Sequence, residues 1–199
     1  MLPPHLLEPA PGERVLDLCA APGVKTTHLA QLTDDRAWVV AIDVHAGKLR
    51  LVRENAARLG LTCIRTLCAQ GQAPPFAGGF DRILVDAPCS GLGALRRRPD
   101  LKWRITETAP ARMAALQADL LRSAVQLCKN GGVVVYSVCT FTREETDGVR
   151  DACLAEGGVV AEDGPEWMSP WRTRPGTYRT DPLDGPLDGF YLTRLRKVS

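Results

Sequence analysis

Arg14-Val-Leu-Asp-Leu-Cys-Ala-Ala-Pro-Gly-Val-Lys25 decides the fold. Residues 14–18 read as a buried strand, 19–23 as a small-residue turn and 25–32 as a helix. A strand that passes straight into a helix begins a unit whose next strand runs parallel to the first. The chain repeats that alternation. Residues 37–42 read as a second strand ending at Asp43, and 45–59 place Leu49, Val52, Ala56 and Leu59 at helical spacing before Gly60. Strands are expected at 62–67, 80–85 and 131–136, and helices at 111–127 and 143–156. Residues 165–186 read as a long loop. The strand at 190–195 follows that loop without a helix, so it is expected to be antiparallel and near the sheet edge. The implied class is α/β, Rossmann-like, with a mostly parallel sheet and an antiparallel C-terminal strand, in one domain over residues 1–199.

With 199 residues, 45% hydrophobic and 24% charged, the chain has the composition of an ordinary globular protein large enough to bury a core. Its net charge of +2 means that any nucleic-acid contact must come from a local patch. Met1-Leu-Pro-Pro-His5 lacks the basic start and apolar run of a secretory signal, and no apolar stretch reaches a membrane-spanning length. A cytoplasmic location is expected, nucleolar if the source is eukaryotic, with no membrane partner. The seven cysteines include no Cys-x-x-Cys pair, so a reduced compartment is expected and a metal site is not.

Two of those cysteines stand where strands end. Cys89, in Asp86-Ala-Pro-Cys-Ser-Gly91, follows Ile83-Leu-Val85; Cys139, in Ser137-Val-Cys-Thr140, follows the strand ending at Tyr136. Open α/β sheets bind ligands beyond the carboxyl ends of their strands. Two thiols there suggest covalent chemistry. The turn formed by Cys19, Ala20, Ala21, Pro22, Gly23, Val24 and Lys25 lacks the glycine spacing that lets a pyrophosphate approach. Asp43 lies about 20 residues after Gly23, where a carboxylate can accept hydrogen bonds from both ribose hydroxyls. Together they suggest an adenosine ligand without a pyrophosphate, S-adenosyl-L-methionine. The plainer reading is a structural turn and a helix-capping Asp.

Such a methyl donor explains the thiols. Carbon 5 of a pyrimidine is a poor nucleophile until a thiolate adds at carbon 6. A free thiol of pKa about 8.5 is only a few per cent ionised at neutral pH, so nearby positive charge helps, and Lys25 is placed to supply it. Asp86 can hold the cytosine edge. Cys63, Cys128 and Cys153 read as core residues, and Cys19 as a packing or backbone contact. Arg96, Arg97, Arg98, Lys102, Trp103 and Arg104 combine phosphate-binding charge with an aromatic ring, as single-stranded RNA requires; the plainer reading is a solvated loop.

These motifs closely resemble the Sun/Fmu (RsmB-like) family of RNA (cytosine-5)-methyltransferases, over about residues 11–197. Asp17-Leu-Cys-Ala-Ala-Pro-Gly23, Asp86-Ala-Pro-Cys-Ser-Gly91 and Tyr136-Ser-Val-Cys-Thr140 occur in order, and Arg97-Arg-Pro-Asp-Leu-Lys-Trp103 looks most like the bacterial ribosomal RNA enzymes. The resemblance implies a Rossmann-like S-adenosylmethionine-dependent methyltransferase fold that methylates cytosine carbon 5 in RNA, ribosomal or transfer. It implies Cys139 as the covalent nucleophile, Cys89 as the residue that assists product release, and donor binding by Cys19 to Lys25, Asp43, Gln70 and Asp86. Three departures stand out. Gly23-Val24-Lys25 replaces Gly-Gly-Lys, and a β-branched Val24 is expected to crowd the donor or resist the turn. Gln70-Gly71 replaces an acid before glycine near the adenine, and Val138-Cys139-Thr140 replaces Thr-Cys-Ser. The family's N-terminal extension does not precede residue 14, so a missing N-terminal RNA-binding region or a partner subunit is expected. The alternative is a catalytically weak RNA-binding or assembly module that retains the fold; Val24, Gln70 and the short N-terminus favour it, and both cysteines oppose it.

Overall fold

The computed structural model describes every residue except Asp184 and Pro186. Strands β1 (Arg14–Asp17), β2 (Trp38–Asp43), β3 (Ile64–Cys68), β4 (Phe80–Asp86) and β5 (Cys128–Val138) pair in parallel in the order β3-β2-β1-β4-β5. Helices α2 (Val24–Leu32), α3 (Ala46–Arg58) and α4 (Ala109–Leu127) form the crossovers. β1, β2, β4 and β5 are buried on both faces over most of their paired length, which is why they read as apolar runs, whereas β3 at the edge has no fully buried residue. Their pleat sorts side chains into two layers. Val15, Val39, Leu84, Val133 and Val135 pack with Leu29 of α2 and with Leu6 and Leu7 of α1 (Leu2–Leu7). Leu16, Val40, Ile83, Val85, Val134 and Tyr136 pack with Leu120 and Leu121 of α4 and with Val149 of α5 (Asp147–Glu156). A one-residue slip of any strand would exchange the two layers, so the register is strongly specified.

Strand order reverses between β1 and β4. The turn after β1 and the loop after β4 therefore open onto one crevice, the place where sheets of this kind take ligands.

The C-terminal part corrects the sequence reading. β9 (Phe190–Lys197) is antiparallel to β5 as expected, but it does not lie near the sheet edge. Its other side is covered by β8 (Thr177–Thr180) along the first half and by β6 (Val159–Ala161) along the second, and β7 (Arg172–Arg174) pairs beyond β8. The stretch 165–186, expected to be a loop, thus contains a 3-10 helix (Glu166–Trp171) and two strands. Pro186, its expected end, lies outside the described residues. Strands of three and four residues are too short to show a period in sequence. They are held by tertiary burial instead, with Met168 and Tyr178 fully enclosed in the layer that contains α1.

Three segments meet at Gly93. Its N–H donates to the Cys139 carbonyl at 3.0 Å, and the Gly189 N–H donates to the Gly93 carbonyl at 2.9 Å. A Cβ at this position would lie 2.0 Å from the Gly189 oxygen, so no larger residue fits without moving backbone. Gly93→Ala is expected to lower stability by about 2–3 kcal/mol, as overpacking of a closed site does. Urea denaturation measures this, and an unchanged midpoint would show that the three segments are not in contact.

Candidate active site

Asp86 ends β4, and Ser137 lies directly opposite it on β5. The Ser137 hydroxyl donates to Asp86 Oδ1 at 2.6 Å, and Lys25 Nζ, from the first turn of α2, donates to Oδ2 at 2.6 Å. Pairing continues past the strand end, with the Ala87 N–H donating to the Ser137 carbonyl at 3.0 Å. The two chains therefore leave the sheet side by side. This brings Cys89 Sγ within 3.2 Å of Cys139 Sγ.

The two thiols are not equivalent. The hydrogen bond from Cys89 pulls the Cys139 thiol below its ordinary value; Lys25 acts in the same direction, while burial and the Asp86 charge oppose it. The hydrogen bond to Cys139, followed by burial, pushes the Cys89 thiol up. Of the two, Cys139 is the thiol that is lowered and Cys89 the one that is raised.

A cavity of about 820 Å³ lies against this pair. Cys19, Ala21, Pro22, Asp43, Gln70 and Asp86 line it, and Cys89 and Cys139 close one part of its wall. Asp43 accepts the backbone N–H of Ala21 at 3.2 Å and of His45 at 2.9 Å, so it braces the turn and the start of α3 together. Burial pushes the Cys19 thiol up, so it lines the cavity as a neutral group. Ala20, Gly23, Val24 and Lys25, grouped with these residues in sequence, are not part of the lining. The Ala20 N–H is bonded to the Ile42 carbonyl at 2.8 Å, and Lys25 turns to Asp86. Gly23, with φ of 103°, caps α2 against Val52, and a Cβ there would sit 2.8 Å from the Val52 Cα. The turn's demand for glycine therefore falls on Gly23. Val24 stands 52% exposed at the start of α2, outside the cavity it was expected to crowd.

The family described as 16S rRNA methyltransferase RsmB/F matches residues 4–196. The chain belongs to that family. It is 41% identical to the probable ribosomal RNA small subunit methyltransferase B of Bacillus subtilis, over 99% of this chain and 46% of that protein. It is 43% identical to the human tRNA (cytosine(72)-C(5))-methyltransferase NSUN6, over 72% of this chain and 33% of that protein. The crystal structure of NSun6 from Pyrococcus horikoshii with SFG superposes with a TM-score of 0.89 at 32% identity, covering 100% of this chain and 51% of that one. The chain spans about half the length of the bacterial relatives it matches and about a quarter of the human 28S rRNA (cytosine(4447)-C(5))-methyltransferase. These likenesses place it in the Rossmann-like methyltransferase fold read from the sequence.

In this RsmB/F-family chain the basic segment does not form one patch. Arg98 lines the main cavity, whereas Arg96 lines a second cavity beside Thr140 and Phe141 and donates to the Gly185 carbonyl at 3.0 Å. Arg97 pairs with Asp188 at 3.1 Å, and Arg98 and Arg104 flank Asp100 at 3.6 and 3.9 Å. Lys102 lies over the ring of Trp103, which is 81% exposed. Among the described residues no three His, Cys, Asp or Glu side chains gather as a metal site would require, and no helix is long and apolar enough to cross a membrane.

Two buried acids at the site escaped the sequence reading. Glu145 is fully enclosed behind the thiols; in sequence it belongs to the polar run Thr142-Arg-Glu-Glu-Thr146, which reads as a solvated helix start. Asp17, at the end of β1, is 1% exposed. It accepts one hydrogen bond from Thr26 Oγ1 at 2.7 Å, and its Oδ1 has no partner. Burial, the largest influence, raises its carboxyl from 3.8 to about 7. The native state therefore keeps a proton that the unfolded chain releases. This contribution is fully present below about pH 4, falls as pH rises, and is gone above about pH 7. Asp17→Asn is expected to remove it, so the variant gains stability relative to the unmodified protein between pH 4 and pH 7. Urea denaturation across that range is the measurement, and parallel stability curves would contradict the assignment.

Proposed function

We propose that this chain is the catalytic domain of an RNA (cytosine-5)-methyltransferase that uses S-adenosylmethionine and acts on ribosomal or transfer RNA. The observation that carries the reading is the pair of sulfurs 3.2 Å apart, one depressed and one raised, beside the Lys25–Asp86–Ser137 cluster. A fold of this kind with a single catalytic acid or base serves many reactions. Two adjacent thiols of opposite protonation suit the making and breaking of one thioether.

The cavity residues fit an adenosine-type methyl donor. Asp43 stands at the end of β2 with both oxygens engaged by single backbone donors, which leaves each with capacity for a ribose hydroxyl. Gln70 is exposed on the same wall and can hydrogen-bond without adding charge, and Gly71 lets its loop press on Leu18. A bound sulfonium donor supplies an electrophilic methyl group.

The chain's own residues do the rest. Cys139, as thiolate, adds to carbon 6 of cytosine, and the ring electrons shift so that carbon 5 becomes nucleophilic. Asp86, held by Lys25 and Ser137, receives the amino or ring-nitrogen edge of the base and fixes its orientation. After methyl transfer a base takes the carbon 5 proton, the carbon–sulfur bond breaks, and the thiolate returns to Cys139. Cys89, in contact with that sulfur, assists this release. The base must be unpaired or flipped to enter. The exposed side chains of Arg96, Arg97, Arg98, Lys102, Trp103 and Arg104 are proposed to hold the adjoining strand, with Trp103 offering a stacking face. The length that the relatives have beyond this match supports further RNA contacts in the same protein or in a partner subunit.

Labelled methyl transfer to RNA tests the reading. The unmodified protein is expected to transfer label, Cys139→Ala to lose transfer by a factor of at least about 10³, and Cys89→Ala to accumulate a protein–RNA adduct that survives denaturation. Donor binding without any transfer by the unmodified protein would refute the enzyme reading. An adduct with Cys139→Ala in place of Cys89→Ala would reverse the two roles.

A further inference from the structure

Glu145 is a carboxylate with no exposed surface, and among the described residues none of its hydrogen-bond partners is a cation. Oε1 accepts the Ser90 backbone N–H at 2.8 Å and Gln117 Nε2 at 3.0 Å. Oε2 accepts the Ser90 hydroxyl at 2.5 Å and the Thr142 hydroxyl at 3.1 Å. Burying a carboxylate costs several kcal/mol unless its lone pairs are filled, and here neutral donors fill them.

Those donors are placed with a pattern. Ser90 follows Cys89 and Thr140 follows Cys139, and their hydroxyls are 2.9 Å apart. With the Ser90 hydrogen directed to Glu145, Thr140 donates to Ser90 at 2.9 Å and also lies 3.5 Å from Glu145 Oε2, so the Cys139 loop and the Cys89 loop are both tied to the carboxylate. Gln117, on α4, also donates to the Pro88 carbonyl at 2.8 Å, gripping the residue before Cys89. Glu145 is itself fixed, since the Tyr136 hydroxyl of β5 donates to its backbone carbonyl at 2.7 Å.

We propose that Glu145 is a positioning residue that sets the distance between the two active-site sulfurs by clamping the residues that follow them. It touches neither sulfur. Without it the Ser90 N–H is left buried and unpaired, and the loop that carries Cys89 loses its hold on the loop that carries Cys139. The sulfur–sulfur hydrogen bond, which favours the Cys139 thiolate, then weakens. The ionisable groups facing Cys139 are Cys89, Asp86 and Lys25, and only Cys89 is held through Glu145. The inference rests on the thiol assignment in the proposed function, but its test needs neither methyl donor nor RNA.

The test is the pH profile of Cys139 alkylation by iodoacetamide, resolved from the other six cysteines by peptide mass spectrometry. Cys89→Ala, which removes the S–H donor, sets the scale: about tenfold less Cys139 thiolate at pH 7, with the midpoint moved upward. Glu145→Ala is expected to give a shift of the same direction and size although Cys89 is intact. Glu145→Gln keeps one acceptor but turns an amide N–H₂ toward donors, and is expected to fall between. A folded Glu145→Ala protein whose Cys139 midpoint matches the unmodified protein would overturn the proposal and leave Glu145 a stabiliser of the fold. Should Glu145→Ala not fold, Glu145→Gln and Ser90→Ala decide: an upward shift supports the clamp, and an unmoved midpoint in both overturns it.

Discussion

The hydrogen bond from Ser137 to Asp86 joins the last rungs of β4 and β5, and the site hangs from it. The two strands are parallel and regularly paired from Arg82–Val133 to Asp86–Ser137, after an irregularity near Phe80. That register places two loops side by side as they leave the sheet. Cys89 is three residues beyond one rung and Cys139 two beyond the other, and their sulfurs meet. Displacing either strand by one residue would separate the thiols and exchange the buried layers at the same time. Packing of the core and alignment of the site are therefore one constraint.

Charge and hydrogen bonding around this scaffold lower one thiol and raise the other. Lys25 and Asp86 pair at 2.6 Å while both are about three-quarters buried, so each offsets the other's field at Cys139. The largest influence on both thiols is the hydrogen bond between them. Glu145 and Gly93 bound this geometry from two sides. The first clamps the residues after the cysteines, and the second permits the Cys139 loop and the 189 loop each to bond the backbone of Gly93.

Much of the fold was legible because parallel strands buried on both faces leave long apolar runs, and crossover helices leave a 3.6-residue period. β1, β2, β4, β5 and the crossover helices follow from those two signals, and β3 was legible as a short run after Gly60. The elements beyond residue 157 were not legible for the opposite reason. β7 and β8 are too short to carry a period, and their place depends on what β9 offers as a template. β9 was read as antiparallel because no helix precedes it, yet only the folded chain shows that β6 and β8 share its outer side.

By itself the sequence determined the class of sheet, the strand ends at which Cys89 and Cys139 stand, and the turn and acid that flank the cavity. These depend on local order along the chain, where spacing and residue type suffice. The tertiary structure decided the rest: that the thiols touch, that Lys25 serves Asp86, that Gly23 and not Val24 carries the demand of the turn, and that the basic segment divides between two cavities. It also exposed Asp17 and Glu145 as buried acids. Burial and hydrogen bonding between residues dozens of positions apart arise only when the strands align, and no window of sequence contains them.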